Sequence, residues 1–516
     1  MAISCVNRPF RAIRRSPFGA LACVWFLLLF VAGCSGSETS SFETSQESSR
    51  PSQEEVKSPA NRPNIIFVLT DDLDYASAQQ MPQIRSQLIE QGASFENAFI
   101  SFPLCCPSRA SMLTGLYAHN HGVASTEPPN GGFEKFRKQG LEEDTIAVRL
   151  QEEGYRTALL GKYLNGYGQD DPAHVPPGWD EWHARMDISA SGESTSAEGD
   201  ESVVNTKYYD YTLNENGEVV SYGDSPEDYF TDVLSDEATD FVRRATSDSE
   251  PFFLYLAPSA PHEPATPAER HKDAFTDEKT PRSASFDEED VSDKPSWIRE
   301  RRTISDREAS RKIDALYLER LASMLAVDER VDHLVRELTS TDRLDNTFII
   351  FASDNGWQQG EHRIRSGKLY PYEESIRTPL FVRGPGVPAG SQVEELVLND
   401  DLAPTIADLA GVSFPADGRS FTPLFGGEGP PWRSAVLLEA AGGGSPPTYR
   451  GVRTETHKYV EYQTGEKELY DLSADPYELE SLHESADASL VEDLKAKLDA
   501  LKSCSREGCK ETEDAP

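Results

Sequence analysis

Positive charge is scarce in this sequence. Lysine and arginine number 50 against 88 acidic residues, a net charge of −38. Four of those arginines fall in the first 34 residues, which hold no acid, so the remainder is more acidic still. Sequence-independent binding to DNA or RNA depends on basic side chains neutralising phosphates, so nucleic acid is excluded as a partner. Long hydrophobic runs are also missing. None reaches the roughly 18 residues of a membrane-spanning helix. The seven cysteines form no CxxC pair and no cluster with histidine, which argues against a zinc site. No internal repeat is visible, which excludes a solenoid. What is present is 37% apolar and 9% aromatic residues over 516 positions, enough for a substantial globular core.

The first segment reads as an address. Arg8, Arg11, Arg14 and Arg15 precede the short apolar run ALACVWFLLLFVAG at 20–33, the pattern of a secretory signal. The run ends Val31-Ala32-Gly33-Cys34, which resembles the bacterial lipobox, where the cysteine becomes the mature N-terminus and carries lipid. Residues 34–62 are rich in Ser, Glu and Thr and hold almost no large apolar side chains, so they cannot offset their ordering entropy and read as a disordered tether. The expected arrangement is a signal over 1–33, a tether over 34–62, and a folded body held at the membrane of a bacterial cell envelope, outside the cytoplasm, through lipid on Cys34. In such an oxidising place Cys504 and Cys509 are expected to pair as a disulfide.

The body alternates strands and helices. Asn64–Thr70 (NIIFVLT), Thr347–Ser353 (TFIIFAS) and Pro251–Ala257 (PFFLYLA) are continuous apolar runs of the kind buried on both faces of a parallel sheet, and Pro379–Arg383 is a shorter fourth. Helical spacing predicts helices over 81–91, 145–153, 229–246 and about 310–338. The fold class is therefore α/β: a large, mainly parallel sheet sandwiched by helices. Residues 187–224 read as a surface excursion with a hairpin at Asn216-Gly217, and 273–305 as a charged insertion. After about residue 411 short strands at 435–438, 449–453 and 458–462 and a terminal helix at 489–501 predict a smaller antiparallel sheet, giving a catalytic domain over 63–410 and a C-terminal subdomain over 411–516.

Chemistry collects where two of the strands end. NIIFVLT runs into Asp71-Asp72 and TFIIFAS into Asp354-Asn355-Gly356. Open α/β sheets bind ligands at the carboxyl ends of their strands. Taken singly an Asp-Asp pair is more often a turn or a helix cap. Three carboxylates and an amide together would repel one another without a cation, and hard oxygen donors suit Ca²⁺ or Mg²⁺ rather than zinc. Further on, Cys105-Cys106-Pro107-Ser108-Arg109 opens a helix, with Pro107 in its first turn and Cys105 at the terminus where free N–H groups favour an anion. On position alone this is as consistent with a buried cysteine pair capping a core helix.

Cys105-x-Pro107-Ser108-Arg109-x-x-x-Leu113-Thr114-Gly115 resembles the sulfatase signature, complete over its eleven residues. The likeness extends to Thr70-Asp71-Asp72, Gly161-Lys162, Ala260-Pro261-His262, Ser353–Gly356, Gly367-Lys368, Tyr372-Glu373-Glu374 with Arg377, and ELYDLSADPYELESL at 468–482. Cys105-Cys106-Pro107-Ser108-Arg109-Ala110-Ser111, Tyr117-x-His119-Asn120-His121, Gly161–Asn165 and Arg383–Gly386 are most similar to N-acetylglucosamine-6-sulfatases. One departure is plain. Arylsulfatases usually carry Gly-Lys-Trp-His, and here the histidine's place is taken by Leu164, followed by Asn165.

The resemblance implies a sulfuric ester hydrolase. Cys105 would be converted to formylglycine (3-oxoalanine) by a formylglycine-generating enzyme during maturation. Its hydrate would attack sulfur with one hydroxyl, and the second would let the sulfated hydrate release sulfate. Asp71, Asp72, Asp354 and Asn355, with Cys105, would hold one divalent cation, Ca²⁺ ahead of Mg²⁺. Arg109 would orient the diol, Lys162 and Lys368 would bind sulfate oxygens, and His262 would contact sulfate and protonate the leaving oxygen. The implied substrate is a sulfated sugar of the N-acetylglucosamine 6-sulfate type, or a small sulfate ester. The rivals are an arylsulfatase or a sulfatase of another carbohydrate, a metal-dependent phosphoesterase, and a non-catalytic lipoprotein that binds sulfated glycans. His362 lies near the metal loop and could meet substrate; His119 and His121 read as structural.

Overall fold

All seven side chains of the strand Asn64–Thr70 are buried, and they divide by parity. Ile65, Phe67 and Leu69 enter one apolar cluster, and Ile66 and Val68 enter another on the opposite side. Successive side chains of a strand point to opposite faces, so a run without polar interruption needs cover on both. In this computed structural model, which describes residues 62–188, 208–247, 250–426, 429, 431–443 and 445–515, that cover is helical. The signal segment, Cys34, all but the last residue of the tether, and residues 189–207 of the surface excursion lie outside the described residues.

The main sheet has ten strands: β1 (Asn64–Thr70), β2 (Ala93–Phe95), β3 (Arg156–Lys162), β4 (Glu181–Arg185), β5 (Thr212–Glu215), β6 (Glu218–Ser221), β7 (Phe252–Ala257), β8 (Thr347–Ser353), β9 (Leu380–Arg383) and β10 (Ser391–Val393). Their order is β10-β2-β9-β8-β1-β7-β3-β4-β5-β6. The central run β8-β1-β7-β3-β4 is parallel, with Ile65 opposite both Phe253 and Phe348. Antiparallel strands join on either side, β9 beside β8 and the β5–β6 hairpin beyond β4. That hairpin turns at Asn216 and Gly217, both at positive φ, as a two-residue turn requires.

One face is covered by α1 (Cys105–Thr114), α2 (Ile146–Glu152) and, later in the chain, the helix Leu402–Ala410. The other is covered by α3 (Phe230–Thr246) and α4 (Asp314–Ser340). The stripe Phe230, Leu234, Ala238, Phe241, Val242 and Ala245 explains why α3 lies flat on the sheet. Where a helix is expected over 81–91, a short turn at Pro82–Ile84 passes into a π-type turn over Arg85–Ile89.

A second sheet follows in the chain: β11 (Ala435–Gly443), β12 (Pro447–Thr454), β13 (His457–Tyr462) and β14 (Lys467–Asp471), antiparallel throughout. The helix Ala488–Leu501 packs on it through Leu494, Leu498 and Leu501. Cys504 and Cys509 are joined in a disulfide, as expected, and a further helix, Glu507–Asp514, completes the chain.

Candidate active site

Four parallel strands deliver their C-terminal ends to one place. Asp71 and Asp72 follow β1, Lys162 ends β3, His262 lies in the loop after β7, and Asp354 and Asn355 follow β8. Lys162 reaches the site because Gly161 lies at φ 116°; a side chain there would meet the Ala257 carbonyl at 2.1 Å. Asp72 itself is at φ 69°, a left-handed conformation that costs a non-glycine residue roughly 1–3 kcal/mol and tends to persist at functional sites.

The helix α1 points its N-terminus into the same space. Leu104 precedes it in an extended conformation and no side chain caps it. With no side-chain cap, the first-turn N–H groups ahead of Pro107, those of Cys105 and Cys106, have no intrahelical partner; Pro107 itself offers none. All ten residues of α1 are buried, and the helix stops at Gly115, φ 66°, whose N–H bonds the Ser111 carbonyl. The two adjacent cysteines face different surroundings. Cys106 enters the apolar core, whereas Cys105 Sγ lies 3.6 Å from Asp71 Oδ1, 3.9 Å from Asp72 Oδ1 and 2.7 Å from Lys368 Nζ. Both are free thiols, and burial pushes both up to about 12.

Around Cys105 acids and bases alternate. Lys162 Nζ donates to Asp71 Oδ2 at 2.6 Å, and Lys368 Nζ to Asp72 Oδ1 at 2.5 Å. Arg109, fully buried one turn into α1, donates through Nε to Asp354 Oδ2 at 2.7 Å and through Nη1 to the Lys162 carbonyl at 2.9 Å. Asp354 Oδ1 accepts the Asp72 backbone N–H at 3.1 Å, and Asn355 Nδ2 donates to Asp72 Oδ1 at 2.7 Å. His262 Nε2 stands 3.6 Å from Asp72 Oδ2. Its Nδ1 is 2.7 Å from the Glu263 carbonyl, which can only accept, so Nδ1 carries a proton and Nε2 faces the site. Every residue expected at the site is thus brought to it: Cys105, Arg109, Lys162, His262, Lys368, Asp71, Asp72, Asp354 and Asn355.

The electrostatics leave room for a cation. Burial pushes the Asp71 carboxyl up, but Lys162, His262, Arg109 and Lys368 together hold it well below the usual range. Asp72 is lowered too, its burial outweighed by Lys368 and His262. Asp354 goes the other way, raised by burial and by Asp71 despite Arg109. Of the three buried carboxylates, Asp354 is therefore the one its neighbours balance least. Asp72 Oδ2 and Asn355 Oδ1 are buried without a hydrogen bond. An orphaned buried oxygen costs about 1–3 kcal/mol, and two of them in a set of carboxylates fit a hard divalent cation. Ligand atoms of Asp71, Asp72, Cys105 and His262 lie within 4.8 Å of one another.

Some residues behave otherwise than the sequence suggests. His362 is fully buried, its Nδ1 2.8 Å from Glu288 Oε2 and its ring stacked on Tyr372, so it is a core residue and not a substrate contact. Leu164, in the place of the arylsulfatase histidine, points into the core. His121 bonds Ser111 Oγ and the Val123 N–H and is driven down to about 3 by burial and by His119, which makes it a neutral strut between α1 and its following turn. Sequence reasoning missed Arg320 and Tyr208. Arg320, in α4, donates to the carbonyls of Asp72 and Pro261, and the Tyr208 hydroxyl donates to that of His262. No local motif marks either one.

The comparisons agree with this geometry. The family model described as Sulfatase matches residues 63–412, and a second, described as N-sulphoglucosamine sulphohydrolase, C-terminal, matches residues 360–504. The N-acetylglucosamine-6-sulfatases of Capra hircus and Homo sapiens are each 34% identical to the chain, over 87% and 88% of its length and 85% and 87% of theirs. The N-acetylglucosamine-6-O-sulfatase of Bacteroides thetaiotaomicron is 30% identical over 85% of both chains. A structure solved in complex with its substrate D-glucosamine-2-N,6-O-disulfate superimposes with a TM-score of 0.72 at 26% identity, covering 88% of this chain and 99% of that one. With a family model spanning most of the folded body and relatives above 30% identity along nearly all of it, the chain belongs to the sulfatase family and is a sulfatase.

Proposed function

We propose that this sulfatase removes 6-O-sulfate from N-acetylglucosamine-type sugars, using a formylglycine made from Cys105 and one divalent cation, Ca²⁺ in preference to Mg²⁺. The observation that carries the reading is the placement of Cys105 at an uncapped helix terminus, between two carboxylates and a lysine. As a thiol held up near 12 it is a poor nucleophile at neutral pH. Conversion to the aldehyde hydrate would supply a hydroxyl nucleophile and a second hydroxyl with which to release sulfate. The cation, held by Asp71, Asp72, Asp354 and Asn355, would supply Lewis-acid stabilisation of a sulfate oxygen.

The chain's own groups do the rest. Lys162 and Lys368 are compact point charges on either side of Cys105 and bind the sulfate oxygens. Arg109, with its fork committed to Asp354 and the Lys162 carbonyl, keeps both in register while adding positive charge behind the nucleophile. His262 donates its Nδ1 proton in a hydrogen bond to the Glu263 carbonyl, which aims Nε2 at the leaving oxygen; in its doubly protonated form the ring gives that oxygen the Nε2 proton and is left neutral. The sugar assignment leans on the 34% identical relatives and on the disulfated glucosamine held by the similar structure. We place the enzyme in the bacterial envelope, tethered by lipid on Cys34, on the strength of the leader's pattern.

Three measurements test this. Mass spectrometry of the Cys105 peptide should show the loss expected for thiol to aldehyde; an intact thiol in an active preparation would sink the nucleophile. The kcat/KM for N-acetylglucosamine 6-sulfate should exceed that for an aryl sulfate. If the aryl ester is far the better and the sugar is inert, the sugar assignment fails while the sulfatase stands. Cys34→Ala should release the protein from washed membranes, and unchanged association would refute the anchor.

A further inference from the structure

Behind the active site, from the opposite side of the sheet loops, one side chain reaches two of them at once. Arg320 sits in α4 among apolar neighbours, with 1% of its surface exposed. Its Nη2 donates to the Asp72 carbonyl at 2.5 Å and its Nη1 to the Pro261 carbonyl at 3.2 Å. The first belongs to the left-handed residue after β1, the second to the residue immediately before His262. The guanidinium also lies over the ring of Trp357, 5.0 Å from its centroid, in the loop after β8 that leads on to Lys368. Its ion-pair partner is Asp74, whose Oδ2 lies 3.6 Å from Nη2, just beyond hydrogen-bond distance. Asp74 is itself engaged through Oδ1 by the Ser77 N–H and through Oδ2 by Gln359 Nε2.

This is an expensive way to use an arginine. A buried cation ordinarily recovers its desolvation through close carboxylate hydrogen bonds. Arg320 spends its fork on two neutral carbonyls, and its Nε has no hydrogen-bond partner. What the arrangement does accomplish is geometric. A planar, rigid fork fixes the separation of two acceptors in a way a lysine cannot. The acceptors here are the backbones that carry Asp72 and His262, whose side chains face each other across 3.6 Å.

We propose that Arg320 is a positioning residue for the sulfatase reaction: it sets the distance between the Asp72 carboxylate and the His262 imidazole by holding their backbones from behind. It touches neither substrate nor reacting atoms. The inference rests on the roles given above to Asp72 and His262.

The test uses the full chain with a generic sulfate ester, so that it does not depend on the sugar. Arg320→Gln should lower kcat by about 10²-fold, the size expected when a reacting group is displaced by about 1 Å, while KM moves far less because Lys162 and Lys368 remain. Amide hydrogen exchange should quicken over residues 71–74 and 259–265 and stay unchanged along the rest of α4. Arg320→Lys, which keeps the charge but not the fork, should recover only part of kcat. Wild-type kcat in Arg320→Gln would overturn the proposal. So would a loss of kcat accompanied by a lowered Tm and faster exchange along the whole of α4, which would mark a role in folding alone. Full recovery by Arg320→Lys would show that charge, not position, is what matters. A wild-type enzyme inactive on sulfate esters would instead refute the reading of the site, leaving the exchange measurement to judge Arg320 by itself.

Discussion

Among the described residues several clusters of charge are buried, and two of them are built to different ends. One is the strand-end pocket around Cys105. The other lies against the C-terminal sheet, where Glu468 accepts from the hydroxyls of Tyr372, Tyr462 and Tyr470, Lys458 bridges Glu373 and Glu478, and Glu288 is shared by His362 and Lys294. In the second cluster each of these carboxylates meets a buried cation or hydroxyls directly. His362 Nε2 there also lacks a hydrogen bond, but His362 is fully buried, and the Glu288 and Glu478 oxygens face Lys294 and Lys458. In the first, Asp72 Oδ2 and Asn355 Oδ1 are left without hydrogen bonds, and the flanking Lys368 and His262 keep 13% and 19% of their side chains exposed. Buried charge alone therefore does not mark a site. Incomplete pairing combined with access does, because only there can a cation or an anionic substrate complete the electrostatics.

The sharpest way to break the comparison is through the nucleophile. Cys105→Ser should keep the helix terminus, since serine is similar in size, yet lower turnover by at least about 10³-fold. Circular dichroism and Tm should remain those of the wild type. Wild-type turnover would mean that the pocket does not work through a modified cysteine.

Next in size is removal of the cation or its ligands. Asp354→Ala and thorough chelation should each abolish activity, and Ca²⁺ or Mg²⁺, but not Zn²⁺, should restore the chelated wild type. Full activity after chelation, with no metal by elemental analysis, would show that the orphaned oxygens have no such role. The second cluster should respond in the opposite sense. Lys458→Met leaves Glu478 buried without its cation, while Glu373 keeps Arg453, and should cost about 3–5 kcal/mol of stability, while kcat/KM per folded molecule is unchanged. A selective loss of activity with normal stability would erase the distinction between the two regions.

The smallest effect concerns pH. His119 Nδ1 is 3.0 Å from Glu439, and its Nε2 is 3.0 Å from the Cys504 carbonyl, linking the turn after α1 to the C-terminal sheet. Burial lowers its pKa, but Glu439 and that carbonyl more than reverse this, so the folded value is above the usual 6.5. The folded state thus holds the proton more tightly than the unfolded chain. The resulting stability is complete below pH 6.5 and is lost as pH rises through the folded value. The difference in stability between wild type and His119→Gln, followed by denaturant unfolding, should be widest in mild acid and shrink towards alkaline pH. A difference that grows with pH would contradict the assigned charge state.

Much of this was legible from residue order. The β1, β7 and β8 strands are apolar without interruption, and such runs have only one stable surrounding, a sheet covered on both faces. Cys105 to Gly115 and the Asp pairs announce their chemistry because they are local: each lies within one helix and its cap or at one strand end. The strand β3 was less visible, since Arg156–Lys162 has as its last residue but one a glycine that looks like a loop and is in fact the close approach to Ala257 that brings Lys162 inward. The π-turn at Arg85–Ile89 follows a helical pattern in sequence and departs from it only in the backbone.

What the sequence determined by itself is the class of sheet, which apolar runs form its central strands and the identity of the groups at their ends. Those depend on side-chain periodicity and on motifs short enough to be read within one element. Only the tertiary structure decided which charges complete one another. His262 meets Asp72, Arg320 reaches both of their loops, and His362 is buried against Glu288. These partners lie tens to hundreds of positions apart along the chain. Electrostatic pairing depends on distance through space and on the loss of water around the pair, and neither is fixed by local sequence.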